Sequence, residues 1–511
     1  TVAAADGNAS APGRGSCEVF CHVDLKDRAG LLAAAEKVRS KQGLGAVFTA
    51  GTDFSAMVAS LAEALGLPGH SFEAARAASD KLIMRKCFDV AGLPSPRFVE
   101  VSASSPDSIV FSLGLPLVVK PADNMGARGC RLARSRDELR ASIDAALPLS
   151  RTGRVIVEEY IEGPEFSIDA LIYDDQLHIH GFADRHIHFS PYFVELGHTI
   201  PSDASPELRD RVLAVFEASV RSLGLSHGAA KGDMKWCPSR STPMIGEIAA
   251  RLSGGYMSGW TYPYSSGHDL TRDALLLAAG LRPAVRQSDR GWTSAERAFI
   301  SVPGKVAFTS GLRAALASPG IKDLFVRAEP GDRVVFPSNN VEKCGNLISQ
   351  SPDRAAAVAA AEAAIRGILI RLEAPNASTE AFLRGEGLIH VMDGLTWPPL
   401  AFRLSPEQSA LLDALPEYIG SETSPSWSPD DLIGITAFPG GGSITGLDWS
   451  GRGFAESALM AMEIGGAVVA PGATGPRLPL LAGRFWRALA RGGVQAALYV
   501  LDSSRKADSA P

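Results

Sequence analysis

The chain lacks several things that would have settled its class at once. No apolar run approaches the ~18 residues of a membrane-spanning helix, so the sequence gives no case for a span. Its six cysteines (Cys17, Cys21, Cys87, Cys130, Cys237 and Cys344) form no CxxC pair and no disulfide-like spacing. A reducing, cytoplasmic setting is the expectation that follows. Charge of one sign is not in excess: 50 Lys and Arg against 56 Asp and Glu leave a net charge of −6. Such a balance offers no electrostatic argument for nucleic acid or an anionic membrane as partner. Residues Thr1 to Asp6 have neither the basic start nor the apolar core of a signal peptide. They also lack an initiating Met, which suggests a fragment or a processed chain.

What is present is ordinary globular composition, with 46% apolar and 21% charged residues. A length of 511 residues predicts three or four domains. Over residues 1–72, short β-branched or apolar runs (Val2 to Ala5, Val19 to Val23, Ala46 to Ala50) alternate with helical stretches (Arg28 to Arg39, Phe54 to Leu65). That alternation predicts a parallel sheet. Ser71 to Val90 reads as one helix with Asp80 and Lys81 in its middle. Leu115 to Pro121 is a strand ending in Lys-Pro, followed by the loop Ala122 to Gly129, a strand Cys130 to Ala133 and a helix Asp137 to Ala146. Val155 to Val157 is a strand that ends in Glu158, Glu159 and a Gly-Pro turn. An alternating run through Phe166, Ile168, Ala170 and Ile172 comes next. Strands such as Ala298 to Val302 and a long Ala-rich helix, Asp353 to Leu372, suggest a further lobe over 286–375. From Asn376 the pattern changes to helices (Gln408 to Ile419, Glu456 to Met462) broken by Pro425–Pro429 and Pro439–Gly442. The end, 505–511, reads as a loose tail.

Several of these residues have the chemistry of a phosphate site, where cations and backbone N–H groups meet negative oxygens. Lys81 and Lys120 are the candidate cations. A lysine that ends a run as apolar as Pro116 to Val119 either snorkels to the surface or has a partner. Gly126 and Gly129 let a loop backbone approach a ligand, or simply turn a hairpin. The loop lacks a Gly-Lys-Ser/Thr ending and the strand-to-helix setting of a dinucleotide fingerprint. Asp233 and Glu247 are the candidate metal ligands. If their segments are adjacent antiparallel strands, both carboxylates point to one face, as suits Mg²⁺. Arg251, four residues on, could offer a guanidinium to a phosphate or a carboxylate. His178, His180, His186 and His188 invite a zinc reading, but alternation on two strands explains them as well and no cysteine joins them.

Lys81, Lys120, the 126–129 loop, Glu158 to Ile161, Glu165, Asp233, Glu247 and Arg251 follow the order and spacing of the ATP-grasp superfamily. Glu-Ile-Ala-Ala-Arg-Leu-x-Gly-Gly (247–255) resembles its carboxylate–amine ligase branch. Pro191 to His198 resembles the stretch through which L-amino-acid ligases contact their substrate. The resemblance covers about 75–285, extends plausibly over 297–372 and stops there. It implies an α/β (α+β) ATP-grasp fold with four parts. These are a Rossmann-like pre-ATP-grasp domain (1–72) short of its first strand and helix, an ATP-grasp domain (73–285, lid about 115–163), a third lobe (286–375) and a mainly helical C-terminal extension (376–511).

The same resemblance implies roles. ATP would be gripped by Lys81, Lys120, Gly126 and Gly129, with Glu158, Glu159 and Ile161 meeting adenine chiefly through the backbone and Glu165 the ribose. Mg²⁺ or Mn²⁺ would sit on Asp233 and Glu247, and Arg251 would stabilise the transferring phosphoryl group. Glu195, His198, Gly254 and Gly255 would face the substrate, with Glu195 on its ammonium and His198 on the acyl phosphate; a structural histidine is the other reading of His198. The implied reaction joins a small-molecule carboxylate to an amine and releases ADP and phosphate. A carboxylase of the biotin carboxylase type and a non-catalytic nucleotide-binding protein are the alternatives. No biotin attachment motif is visible, and Ala249 stands where the biotin carboxylase branch places a metal-binding Asn. For 376–511 three uses stay open: covering the acceptor pocket, a homodimer contact, or binding a partner. Its stretch Pro439 to Gly446 reads as a flexible linker or a ligand-approaching loop.

Overall fold

The computed structural model describes residues 1–105, 109, 111–284, 290–391, 395–414, 444, 446–465 and 483–508. The stretches Pro425–Pro429 and Pro439–Gly442 and the helix expected beyond Ala414 lie outside them. The chain divides into two compact units, residues 1–296 with 350–357, and residues 297–349 with 358–511.

The first unit opens with β1 (Ala3–Asp6) and β2 (Val19–His22), which pair in parallel, and with α1 (Arg28–Gln42) and α2 (Ser55–Leu65). Residues 46–49, read as a strand from their β-branched content, are irregular, with a bend at Ala50. The single helix expected over 71–90 is two, α3 (Phe72–Ala77) and α4 (Lys81–Val90). The reason is local: the Asp80 carboxylate accepts from the Leu82 and Ile83 N–H groups, so it caps a new helix. Lys81 therefore stands at the first position of α4 rather than mid-helix.

A four-stranded sheet follows, in the order β3 (Phe98–Val101), β6 (Val155–Glu159), β4 (Leu117–Pro121), β5 (Arg131–Ala133). Helix α5 (Arg136–Ala146) covers one face of it. Leu117, Val119, Val155 and Val157 meet Leu139, Ile143 and Ala146 there in a closed apolar core. A larger antiparallel sheet contains β11 (Thr242–Ala249), β10 (Gly228–Cys237), β7 (Glu165–Tyr173), β8 (Gln176–His188) and β9 (Val194–Ile200) in that order. The strand β12 (Thr293–Phe299), of which residues to Glu296 belong to this unit, lies next to β9. Helix α6 (Pro206–Ser222) packs Val212, Phe216 and Val220 on that sheet, together with Met84 and Phe88 of α4. Phe216 fits because position 232 has no side chain: a Cβ there would stand 2.5 Å from its ring. The four histidines expected on two strands all fall on β8, one 13-residue strand. Among the described residues no group of three or more His, Cys, Asp or Glu is arranged to hold a metal.

The second unit pairs β13 (Gly304–Ser310) with β15 (Arg333–Val334) and β17 (Leu369–Leu372), and β14 (Ile321–Val326) with β16 (Gly345–Ser351). The strand expected over 298–302 begins earlier, at Thr293, and ends at Phe299. The long Ala-rich helix is shorter than expected. It spans Arg354–Arg366 and stops at Gly367, after which 369–372 is strand β17 with all four residues buried. Helices Ala377–Arg384, Pro406–Ala414, Phe454–Ile464 and Gly483–Asp508, the last kinked at Gly492 and Gly493, make the described C-terminal residues mainly helical, with a short antiparallel pair Ile389–Val391 and Leu395–Trp397. The last helix reaches Asp508, so 505–508, read as loose tail, is helical. Among the described residues no helix is long and apolar enough to cross a membrane.

Candidate functional site

A cleft in the first unit, open to solvent, is lined from one side by Lys81, Lys120 and Gly126, and by Glu158, Glu159 and Ile161. From the other it is lined by Glu165, Asp233 and Glu247. The antiparallel register puts Asp233 directly opposite Glu247, so both carboxylates leave the β10–β11 pair on one face. The pair expected to share a metal therefore does share a surface.

The strand β6, in the segment expected to be the lid, ends in two acids that point opposite ways, as strand alternation requires. Glu158 is buried and accepts from Arg85 Nε at 2.6 Å and from Lys120 Nζ at 2.7 Å. Burial alone would raise its carboxyl, yet the Arg85 and Lys120 charges hold it at about 2. Burial likewise disfavours the charged Lys120, and Glu158 more than restores it. Glu159 takes a bidentate fork from Arg240 (2.9 and 2.8 Å) and bonds from Arg97, which also hold it at about 2. Both side chains are thus engaged inside the protein. The Glu159 N–H donates to Arg97 and the Tyr160 N–H to Pro116.

Lys81 Nζ donates to the Asn124 carbonyl at 2.7 Å and lies 3.5 Å from Glu247. The loop after β4 carries Gly126, Ala127 and Gly129 at φ of 67°, 60° and 73°. That left-handed run needs glycine at most of its positions. Gly126 lines the cleft, whereas Gly129 packs over Pro121 and Leu149 at the loop's base.

Arg185, on β8, is the residue that sequence reading missed. Its guanidinium is 3.0 Å from Glu165, 2.8 Å from Glu195 and 3.6 Å from Asp233, so one cation serves three carboxylates. Burial works against its charge and Asp233, Glu195 and Glu165 outweigh it, pushing its pKa up. A lone Arg on an alternating strand gives no sequence signal of such convergence. Glu165 also meets Lys235 at 2.9 Å. Asp233 meets Lys231 at 2.5 Å, and Glu247 has Lys81 beside it. Burial raises both carboxyls, and these neighbouring cations bring both below the usual range. Among the described residues Arg85 Nη1 and, just past β11, Arg251 Nε are buried without a hydrogen-bond partner, as are Arg131 Nε and Arg491 Nη2 elsewhere.

The expected acceptor side is joined to this cleft through Arg185 and Glu195. His198 stands behind Glu195, with Nε2 3.5 Å from it and Nδ1 3.0 Å from Glu296, a second residue the sequence did not reveal. Burial disfavours its cation, but Glu195 and Glu296 raise it to about 9. A Cβ on Gly255 would come 3.5 Å from Glu195 Oε1, and Gly254 is pressed by Gly51, where an added Cβ would stand 2.8 Å from its Cα. Asp169, fully buried, anchors this turn by accepting from the Ser253 N–H and hydroxyl at 3.0 and 2.9 Å.

Comparison with known proteins bears on the fold. Residues 78–254 match the ATP-grasp domain family, and residues 298–373 match the L-amino acid ligase C-terminal domain 2. The uncharacterized protein y4rH of Sinorhizobium fredii is 24% identical over 351 residues, 68% of this chain and 72% of its own. A D-alanine–D-alanine ligase of Desulforudis audaxviator is 32% identical over 188 residues; the match spans 35% of this chain and 61% of that enzyme. The crystal structure of an L-amino acid ligase from Bacillus licheniformis superposes with a TM-score of 0.62 at 20% identity, covering 70% of this chain and 88% of the other. The fold is thus the ATP-grasp fold, with an ATP-grasp domain over residues 78–254 followed by a domain of the L-amino acid ligase C-terminal type over 298–373.

Proposed function

We propose that the protein condenses a small-molecule carboxylate, an amino acid or peptide, with an amine at the expense of ATP, through an acyl phosphate, releasing ADP and phosphate. The observation that supports this most is the facing pair Asp233 and Glu247, with Lys81 and Lys120 lining the same cleft. Hard carboxylate oxygens held ionised by neighbouring cations fit Mg²⁺ or Mn²⁺. When bound, such an ion neutralises phosphate charge during transfer.

The chain's own residues do the rest. Ile161 offers its N–H to adenine, beside the carbonyls of Glu158 and Glu159. Glu165 meets the ribose, while Lys81, Lys120 and the N–H groups of the Gly126 loop hold the phosphates. Arg251, whose buried Nε has no partner among the described residues, would meet charge as it develops on the phosphoryl group. The activated acyl carbon then loses phosphate as the amine attacks, and a closed lid keeps water from it. Glu195 takes the substrate ammonium. His198, held between Glu195 and Glu296, is a positioning residue for Glu195 in this reading.

The test is phosphate release from ATP with pooled amino acids and amines, for the wild-type chain and for Glu247→Gln. Loss of release in the variant by about 10³-fold, with nucleotide binding weakened only a few-fold, is the expected result. Wild-type rates in Glu247→Gln would remove that residue from the metal site. Tight ATP binding with no turnover under any substrate pool would instead favour a nucleotide-binding protein.

A further inference from the structure

The face of β10 and β11 that carries the two carboxylates has two further positions beside them. Lys231 pairs directly with Ala249, as Asp233 does with Glu247, and residues two apart in a strand share a face. The four side chains are therefore Lys, Asp, Glu and Ala. Position 249 supplies a methyl group and no oxygen. The residue opposite supplies an ammonium, which lies 2.5 Å from Asp233 Oδ2.

The local charge count points the same way. Asp233 has Lys231 at 2.5 Å and Arg185 at 3.6 Å, and Glu247 has Lys81 at 3.5 Å. Arg185 is shared with Glu165 and Glu195, so the cations that belong to this pair alone are Lys231 on Asp233 and Lys81 beside Glu247, one for each carboxylate before any metal arrives. A first divalent ion still finds oxygens, from the two carboxylates and from the phosphates it accompanies. A second would need further oxygens. Strand β7 offers Ser167 opposite Asp233 and Asp169 opposite Lys231, but the Ser167 hydroxyl donates to Asp233 and the Asp169 carboxylate accepts from the Ser253 N–H and hydroxyl. The newcomer would enter beside a fixed ammonium with these oxygens already engaged.

We propose that this floor holds a single divalent cation with ATP, and that the Lys231 ammonium is the built-in second cation. Lys231 and Ala249 form one device: the short side chain removes a donor, and the long one facing it supplies the charge. The inference rests on the nucleotide reading above, and concerns how many metal ions that reading involves.

The experiment counts Mn²⁺ bound by the full chain at saturating β,γ-imido ATP, from the loss of the free-ion electron paramagnetic resonance signal. The wild type should bind one Mn²⁺ per chain. Lys231→Ala should bind two, and adding Ala249→Asn, which restores an oxygen opposite, should tighten the second. Two ions in the wild type would overturn the proposal while leaving the nucleotide reading intact, and this measurement needs no variant to fold. One ion in the wild type and still one in both variants would overturn the role of Lys231. No nucleotide-dependent Mn²⁺ in any of them would overturn this proposal and the reading beneath it together.

Discussion

The lid end of the cleft and its sheet floor are both crowded with charge, yet they solve it differently. At the lid end each acid has two cations of its own: Glu158 has Arg85 and Lys120, and Glu159 has Arg97 and Arg240. On the floor Arg185 is shared among Glu165, Glu195 and Asp233; among the described residues a buried guanidinium nitrogen without a partner occurs both at the lid end, on Arg85, and just past β11, on Arg251. Paired charges of the first kind fix geometry, since removing one partner strands the other in a poorly solvated place. A shared charge of the second kind leaves its acids partly uncompensated, and a triphosphate with its metal and a zwitterionic substrate would complete them.

Four outcomes sharpen or break this contrast. The largest concerns the lid. Glu158→Gln leaves Arg85 and Lys120 without their counter-charge and should cost about 3–5 kcal/mol of stability, read by denaturant unfolding. A loss near zero would mean that the lid pairs are not structural. Next, Arg251→Ala should lower kcat by about 10²- to 10³-fold with little change in the melting temperature, and Arg251→Lys should recover only part of it. Equal losses of activity and stability would place Arg251 in the first class of charge instead. Third, Glu195→Ala should raise the KM of the ammonium-bearing substrate by about 10- to 100-fold and leave kcat nearly intact; a change confined to kcat would break that assignment.

The smallest effect is a pH dependence. His198 has a folded pKa of about 9 against an ordinary value of 6.5. A raised value means that the stabilisation is complete below about 6.5 and is lost as pH rises through about 9. Glu296→Gln should move the His198 titration, followed by NMR, downward. A titration that stays near 9 in that variant would show Glu195 alone to be responsible.

Much of the site was legible because its parts sit at places where sequence leaves a local mark. An apolar strand that ends in Lys120, an acid pair closing Val155 to Val157, and a Gly-Gly after Arg251 all interrupt their own periodicity. Alternation also says that Glu158 and Glu159 face opposite ways. It does not say which of the two is buried on Arg85, a partner 73 residues away. The errors had local causes as well. The cap formed by Asp80 split one expected helix into two, and Gly367 ended the Ala-rich helix where residues 369–372 join a sheet as a fully buried strand.

The sequence by itself determined the order of strands, loops and charged residues, and with them the resemblance to ATP-grasp ligases, because those depend on near neighbours in the chain. Tertiary structure alone decided that Arg185 serves three carboxylates, that Glu296 stands behind His198, and that Lys231 faces Ala249 beside the metal-ligand candidates. Each of these is a matter of strand register and of which elements pack together. Register is set by the whole buried face of a sheet, and no window along the sequence contains it.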